Sequence, residues 1–416
     1  QGSGNVCIGY QAGKTISNDA SNQLYISNSS SQDLITGDFS TGFVDIGRAG
    51  LSNGGLGVHG DLGVRFYDDD ASAYIALVSP STVSSSVTFT LPGADGSDGQ
   101  VLKTDGSGAL SWANSSGASD IDGLSDAKLG GTNFTNSMLL GHQTTGTLSS
   151  AENNVGVGVG ALQAITSGDA NTAIGYQTLY SNTTGSNNIA IGAEAGYSNT
   201  TGTGIGGIGY QALKSNTTGN YNMAVGYQAL SSSTTASNNT AIGFSAGKST
   251  TTGGANVFIG MRTGSDNTTG GENVAIGADT LRNNTTGSQN VAIGGYAMNS
   301  NTTASYNTGL GYKALYTNTT GTSNSALGYN ALSSNTTGSY NTGIGVNAMY
   351  ANTTGNYNIA VGQQACEQNT TGSSNVCIGY QAGKTMGTGN SNQLYISNSS
   401  SQDLITGDFS TGFVDI

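Results

Sequence analysis

Three short stretches carry residues of the kind that hold phosphate: "AGKT" at Ala12–Thr15, "AGKS" at Ala246–Ser249 and "AGKT" again at Ala382–Thr385. A phosphate-cradling loop needs a further glycine five positions before its Gly-Lys pair. Those positions are Ile8, Ile242 and Ile378, residues expected in the core of a repeat, so the loop is not formed. "VGVGVG" at 155–160 has closely spaced glycines, but no helical pattern follows to receive a dinucleotide. His59 and His142 lie far apart and have no neighbouring Cys, which leaves metal ligation or general-base work without partners. Asp68, Asp69 and Asp70, or Asp95 with Asp98, offer oxygens for a hard cation, yet the same residues are ordinary hairpin-turn chemistry. Glu194, Asp279 and Glu367 are of the type that cleaves glycosides in pairs. Each falls on a different, distant repeat, and no pairing is expected. We therefore assign no catalytic, cofactor-binding or metal-binding residue, and expect no cofactor.

The cysteines are Cys7, Cys366 and Cys377, which is neither a disulfide framework nor a zinc spacing. Cys366 and Cys377 occupy core-type positions of adjacent repeats, which predicts buried free thiols. A disulfide there requires the two Cβ atoms to approach within about 4 Å.

Composition narrows the class. Charged residues are 8% of the 416, with 67 Gly and 2 Pro, far from an ordinary globular mixture. Disorder is disfavoured because Ile, Val and Thr recur at fixed spacing. The net charge of −13 is spread thinly, and 11 scattered Lys and Arg residues do not make a nucleic-acid surface. No apolar run reaches the ~18 residues of a membrane-spanning helix.

The elements that must position any site are repeats. A glycine preceded by Ile, Val or Leu recurs at one unvarying interval, from Gly158 through Gly175, Gly192 and Gly209 to Gly379. Asn stands four before it in every coil but that of Ile205. A phase held over fourteen coils means that each unit stacks on its neighbour. Seventeen residues suffice for two short strands and two turns. We expect Ile174 and its equivalents, Ile276 among them, to form an inward ladder, joined by Leu179, Leu213, Leu230 and Leu315. Asp279 is expected to face outward. Glycine at the anchor allows another backbone to approach closely. The second half-coil ends in Asn-Thr-Thr-Gly, as at Asn182–Gly185, which is turn chemistry. Ala236 and Ala304 replace the last Gly in two of twelve turns, so a positive φ there is favoured rather than obligatory.

Ten of these turns, at Asn182, Asn199, Asn216, Asn267, Asn284, Asn301, Asn318, Asn335, Asn352 and Asn369, fit the N-x-T glycosylation pattern. Coils only about 4.8 Å apart leave no room for a glycan on each. Paired Thr columns also invite an ice-binding reading, but adjacent Thr residues cannot both project from one flat strand face. Turn and ladder hydrogen bonding is the favoured role.

A longer repeat encloses the shorter one. Residues 1–46 and 371–416 agree at 39 of 46 positions. This implies one period of a longer tandem array, so that Gln1 and Ile416 are not expected to be natural termini. The expected organisation is a last coil and closing strands of a preceding period at 1–46, a β-rich connector at 47–113, and a Ser/Gly/Asp-rich linker at 114–150. Within the linker, "SDIDGLSDAKLGG" is the one weakly helical piece. The β-roll then occupies 151–385, and 386–416 repeats the closing strands of 16–46.

"NTAIGYQTL", "NVAIGADTL" and "NSALGYNAL" resemble the head repeats of trimeric autotransporter adhesins, the YadA-like parallel β-roll. The 17-residue coil departs from the shorter coils of that family, and no coiled-coil stalk or membrane anchor is visible. "FTLPGADGSDGQVLKTDGSGALSWA" and "NQLYISNSSSQDLITGDFSTG" are similar to stretches of phage tail fibres. Both resemblances imply a homotrimer exposed outside the cell and attached to surfaces. The expectation is an all-β, parallel β-roll or β-solenoid with 17-residue coils, alternating with a β-rich connector, in a trimeric extracellular fibre. Its partners are further copies of itself, as a homotrimer and a tandem or head-to-tail filament, together with host-surface glycans or proteins. Nucleic acid and membrane insertion of this segment are not expected. A polysaccharide-cleaving spike and an ice- or crystal-binding solenoid are the alternatives.

Deleting 171–187, one whole coil, should leave a folded, slightly shorter solenoid, whereas deleting half a coil there should destroy the ladder. Equal melting temperatures for the two deletions would contradict the stacked-coil reading.

Overall fold

The computed structural model describes residues 3–13, 20–27, 33–38, 40, 43–46, 64–67, 74–77, 90–98, 100–107, 109–114, 126–142, 144–384, 386–399 and 403–416. The contacts fall into two units, Gln1–Asn114 and Ser115–Ile416. Every regular element among the described residues is a strand. In the first unit, β1 (Val6–Ile8), β2 (Gln23–Ser27), β3 (Asp33–Asp38) and β4 (Phe43–Ile46) form one sheet in that order. β5 (Val64–Tyr67) with β6 (Tyr74–Leu77), and β7 (Gln100–Thr104) with β8 (Leu110–Asn114), are antiparallel hairpins.

The second unit is a β-solenoid. Fourteen three-residue strands, from β11 (Val155–Val157) to β24 (Val376–Ile378), pair in parallel at a constant offset, as in Thr172↔Ile189 and Ile174↔Ile191. At about 4.8 Å per coil the stack is roughly 65 Å long. The ladder also reaches back to β10 (Met138–Leu140), where Met138 pairs with Val155, so the stack begins inside the stretch expected to be a linker. β9 (Ala127–Leu129) runs antiparallel to β10. The weakly helical reading of this stretch is therefore corrected for its described part: pairing to the first strand outweighs local propensity. At the other end β25 (Gln393–Ile396) continues in parallel, and β26 (Ile405–Asp408) and β27 (Phe413–Asp415) return antiparallel. β1 to β4 carry the same register in the earlier copy: Cys7↔Tyr25 matches Cys377↔Tyr395, and Leu24↔Gly37 matches Leu394↔Gly407.

The inward ladder is not the one expected. Ala173, Ala190, Ala241 and Ala275 are fully buried, while Ile174, Ile208 and Ile242 remain about 40% exposed. Successive strand residues face opposite sides, so one face had to be chosen, and the coil is too narrow for large residues on both walls. Leu179, Leu213, Leu230 and Leu315 fill the core from the opposite wall, as expected, and leave space for little more than a methyl group on the strand side. The two walls compensate each other in facing pairs. Gly309 faces Met298, and Gly343 faces Leu332. Phe258 occupies space beside Gly247 and Gly264, where a Cβ would lie 2.8 and 2.5 Å from its ring.

The anchor glycines behave as expected. Gly175 has φ +133°, and a Cβ there would meet the Gly192 backbone at 2.8 Å. The glycine ending each Asn-Thr-Thr turn has a different reason from the one expected. Gly185 does not adopt a positive φ; a Cβ there would meet the Asn182 carboxamide oxygen at 2.5 Å. Space rather than backbone strain favours the smallest residues there. Ala236 and Ala304 fit, at 3% and 1% exposure.

Ala275→Asp should cost several kcal/mol by placing an unpaired carboxylate in the core, whereas Ile276→Asp should leave the coil folded. Phe258→Ala should cost about 3–5 kcal/mol, because no neighbouring side chain can fill the cavity. Chemical denaturation of the three variants, followed by circular dichroism, tests this ranking.

Candidate functional site

Two buried carboxamide columns run along the solenoid. In the first, Asn171 donates from its backbone N and from Nδ2 to Asn154 Oδ1, both at 3.0 Å, and its Nδ2 also donates to the Gly185 carbonyl at 2.9 Å. The same set recurs at Asn273, Asn290, Asn324 and Asn341. In the second, Asn199 Nδ2 donates to Asn182 Oδ1 at 2.8 Å and to the Gly202 carbonyl at 3.0 Å. All ten glycosylation-pattern asparagines are fully buried, so the folded solenoid exposes no acceptor nitrogen to a glycan-transferring enzyme. The first Thr of each turn is also committed: Thr183, Thr200 and Thr217 donate to the next coil's Thr carbonyl at 3.0–3.1 Å. Only the second Thr column, Thr184 and its equivalents, is exposed, so the paired hydroxyl rows that suit an ice surface do not form.

The sequence-derived chemical candidates stay apart. Ala246–Ser249 is a turn with Gly247 at φ +58°. In the other two copies Lys14, Thr15 and Thr385 lie outside the described residues. Ile8, Ile242 and Ile378, expected in the core, are 55%, 40% and 42% exposed. Gly156 and Gly158 belong to the first coils, without a following helix. His59 and Asp68–Asp70 lie outside the described residues. His142 is half-buried with Nε2 2.7 Å from the Ala161 carbonyl, and Asp95 and Asp98 are exposed. No group of three or more potential metal ligands occurs among the described residues.

Glu194 accepts from Lys214 at 2.7 Å and Gln211 at 2.9 Å. The Lys214 bond, then that of Gln211, holds its carboxyl below the usual range. Glu367 accepts from Gln364 at 3.1 Å. Asp279 corrects the sequence reading: it is 1% exposed, with Arg262 Nη2 at 2.8 Å and Arg282 Nη1 at 3.6 Å. Inside and outside are exchanged for Asp279 as for Ile276, because the turn after the anchor glycine folds its left-handed residue, φ 52° here, back against the preceding coil. There Asp279 N bonds to the Met261 carbonyl and its carboxylate meets Arg262. The cysteine expectation is corrected too. Cys366 and Cys377 are buried but form a disulfide with Cα atoms 5.7 Å apart. They are another facing pair, with the same sequence separation of 11 as Met298 and Gly309, which puts them within bridging range. Cys7 is exposed.

The described residues of the solenoid also expose a long apolar feature. The outward strand positions form two columns: Ile189, Met223 and Ile359 in one, and Ile174, Ile191, Ile242, Ile344 and Ile378 in the other, at 37–50% exposure. Beyond the glycine corner runs an aromatic column, with Tyr210 stacked on Tyr227 at 5.3 Å and Tyr227 on Phe244 at 5.2 Å. Sequence reasoning offers the Tyr positions as a packable face but places the aliphatic columns inside. The signal was present in the unbroken Ile/Val/Leu column itself, read on the wrong side. Comparison with protein-family models, curated proteins and solved structures finds no match.

Asp279→Asn should lower stability by about 1–3 kcal/mol, since it leaves two guanidiniums without their carboxylate. Glu152→Gln, at an exposed position, should stay within about 0.5 kcal/mol. Thermal melts of both variants decide.

Proposed function

We propose that the chain is a structural segment of a long extracellular fibre, built as a homotrimer and serving surface attachment, in a phage tail fibre or a microbial surface adhesin. The reading carries no catalytic role. One observation supports it most: the solenoid presents an unpaired aliphatic column along its whole length, the third residue of every strand from Val157 to Ile378 being Ile, Val or Leu. Stable partners commonly contribute about 20–30 residues a side. The two outward positions on each of fourteen strands, one aliphatic column beside one in which Thr, Ser and Gly206 stand among Ile, Val and Met, supply that number. The face repeats once per coil, so a second solenoid with the same period meets it in phase from end to end. A surface with any other period does not.

Three copies suit the shape better than two. Each solenoid has an aliphatic strand face and, across the glycine corner, an aromatic column. A closed ring in which each copy gives one strip to each neighbour covers both. The resemblance to trimeric adhesin heads and phage fibres points the same way. The surroundings of such a fibre are host-surface glycans and proteins.

Sedimentation equilibrium of the 416-residue chain should give three chain masses. Ile242→Asp with Ile276→Asp should give one chain mass with the β-sheet circular dichroism retained. A wild-type chain that stays monomeric at micromolar concentration overturns the trimer, and an associated double variant shows that another face holds the copies together.

A further inference from the structure

Five of the six basic residues between 151 and 385 lie in one stretch, Lys214 to Lys313. Three of them gather on neighbouring coils. Arg262, Asp279, Tyr296 and Lys313 occupy the same position of four successive coils, and Arg282 and Tyr316 stand three positions on within theirs. Arg262 and Arg282 converge on the buried Asp279 carboxylate from either side, at 2.8 and 3.6 Å. Tyr296 and Tyr316 lie edge to face at 6.4 Å. The Lys313 ammonium sits 5.3 Å from the Tyr316 ring centre.

A buried carboxylate costs free energy unless it serves its partners. In most other coils this position carries a neutral residue, as at Gln211, Gln228 and Asn330; the other acid there is Glu194, which is paired with Lys214. Asp279 fixes two guanidiniums that are still 39% and 40% exposed. Each has five donors; both Nε–H groups are buried without a partner and Asp279 takes a hydrogen bond only from Arg262, which leaves the terminal Nη groups to meet a ligand. Preorganised forks of this kind suit a carboxylate. Three cations less one carboxylate leave the patch at +2, on a chain of −13. The adjoining column carries one further acid, Asp266, which is exposed.

We propose that this patch binds an extended acidic polysaccharide, with Arg262 and Arg282 taking a sugar carboxylate, Lys313 a second one, and Tyr296 and Tyr316 stacking on pyranose faces. The coil spacing of about 4.8 Å is close to the length of one pyranose in an extended chain, so successive coils meet successive sugars. Asp279 is a positioning residue. The proposal rests on the fibre reading only in setting the solenoid among surface polysaccharides.

Calorimetric titration of the full chain with oligogalacturonate, with maltohexaose as the neutral control, tests it. Saturable binding of the first alone is expected, weakening at least tenfold in Arg262→Gln/Arg282→Gln. Because that variant strands Asp279, Lys313→Gln/Tyr316→Ala, at partly exposed positions, is the second probe and should weaken binding at least threefold. Lys214→Gln, on a distant coil, should leave binding unchanged. No saturable binding, unchanged binding in both double variants, or equal binding of a single-stranded oligonucleotide of matched charge overturns the proposal. Sedimentation of the same samples reports trimer formation separately, so the two readings fail independently.

Discussion

The structure depends on one interaction, the carboxamide of a buried asparagine handed from coil to coil. A solenoid of three-residue strands leaves most of its backbone in turns, and buried turn N–H and C=O groups must find partners. Asn171 donates to Asn154 Oδ1 and to the Gly185 carbonyl, and its own Oδ1 accepts from the Asn188 backbone N. The acceptor is satisfied only when the corresponding backbone N–H arrives one full coil later, and even Ile205, which lacks the carboxamide, supplies it to Asn188 Oδ1. The period is therefore a hydrogen-bonding requirement before it is a packing preference. A shift by a single position would strand the carboxamides and turn the strand faces over together.

Within that frame the core is a set of facing pairs. An apolar residue after the glycine corner meets the middle of the strand in the following coil, and in most coils a larger residue on one side is matched by a smaller one on the other. Leu faces Ala, Met298 faces Gly309, and Gly247 gives way to Phe258. Gly196 is balanced differently, by Leu179 of the preceding coil together with Ile205 in place of the usual asparagine. The column that turns the chain also holds left-handed backbone at Leu179, Leu213 and Leu315, with φ 49–54°. Such a conformation is costly for leucine and is maintained by complete burial of the side chain. Glycine enters the same column without strain, which is why Leu and Gly both occur there.

The period, the turns, the anchor glycines and the closing strands were legible because each is a pattern repeated many times over, and repetition removes the ambiguity of a single match. The facing was not legible. In Thr172-Ala173-Ile174 the larger aliphatic residue is the natural choice for a core, but that rule assumes that water is the only alternative. Here the alternative for Ile174 is a second apolar face, so hydrophobicity alone cannot tell the two sides apart. Asp279 misled for the opposite reason. A charge in a turn reads as solvent-facing unless Arg262, one coil before it, and Arg282, in its own turn, are known to fold back upon it. The Cys366–Cys377 bridge required the rule of facing pairs, which only the packed walls reveal.

Phe258 has a consequence of another kind. Most coils of the array are interchangeable, since each presents the same ladder and the same facing sizes to its neighbours. A repetitive gene gains and loses such units by unequal recombination, and the protein tolerates the result. The two coils that carry Gly247, Phe258 and Gly264 do not share this freedom: both glycines are fitted to the Phe258 ring, and exchanging either coil alone leaves either a void or a collision. In a molecule otherwise built of equivalent parts, this stretch has an address. Lengthening or shortening can pass on either side of it but not through it, so it marks a fixed point from which distances along the solenoid are counted.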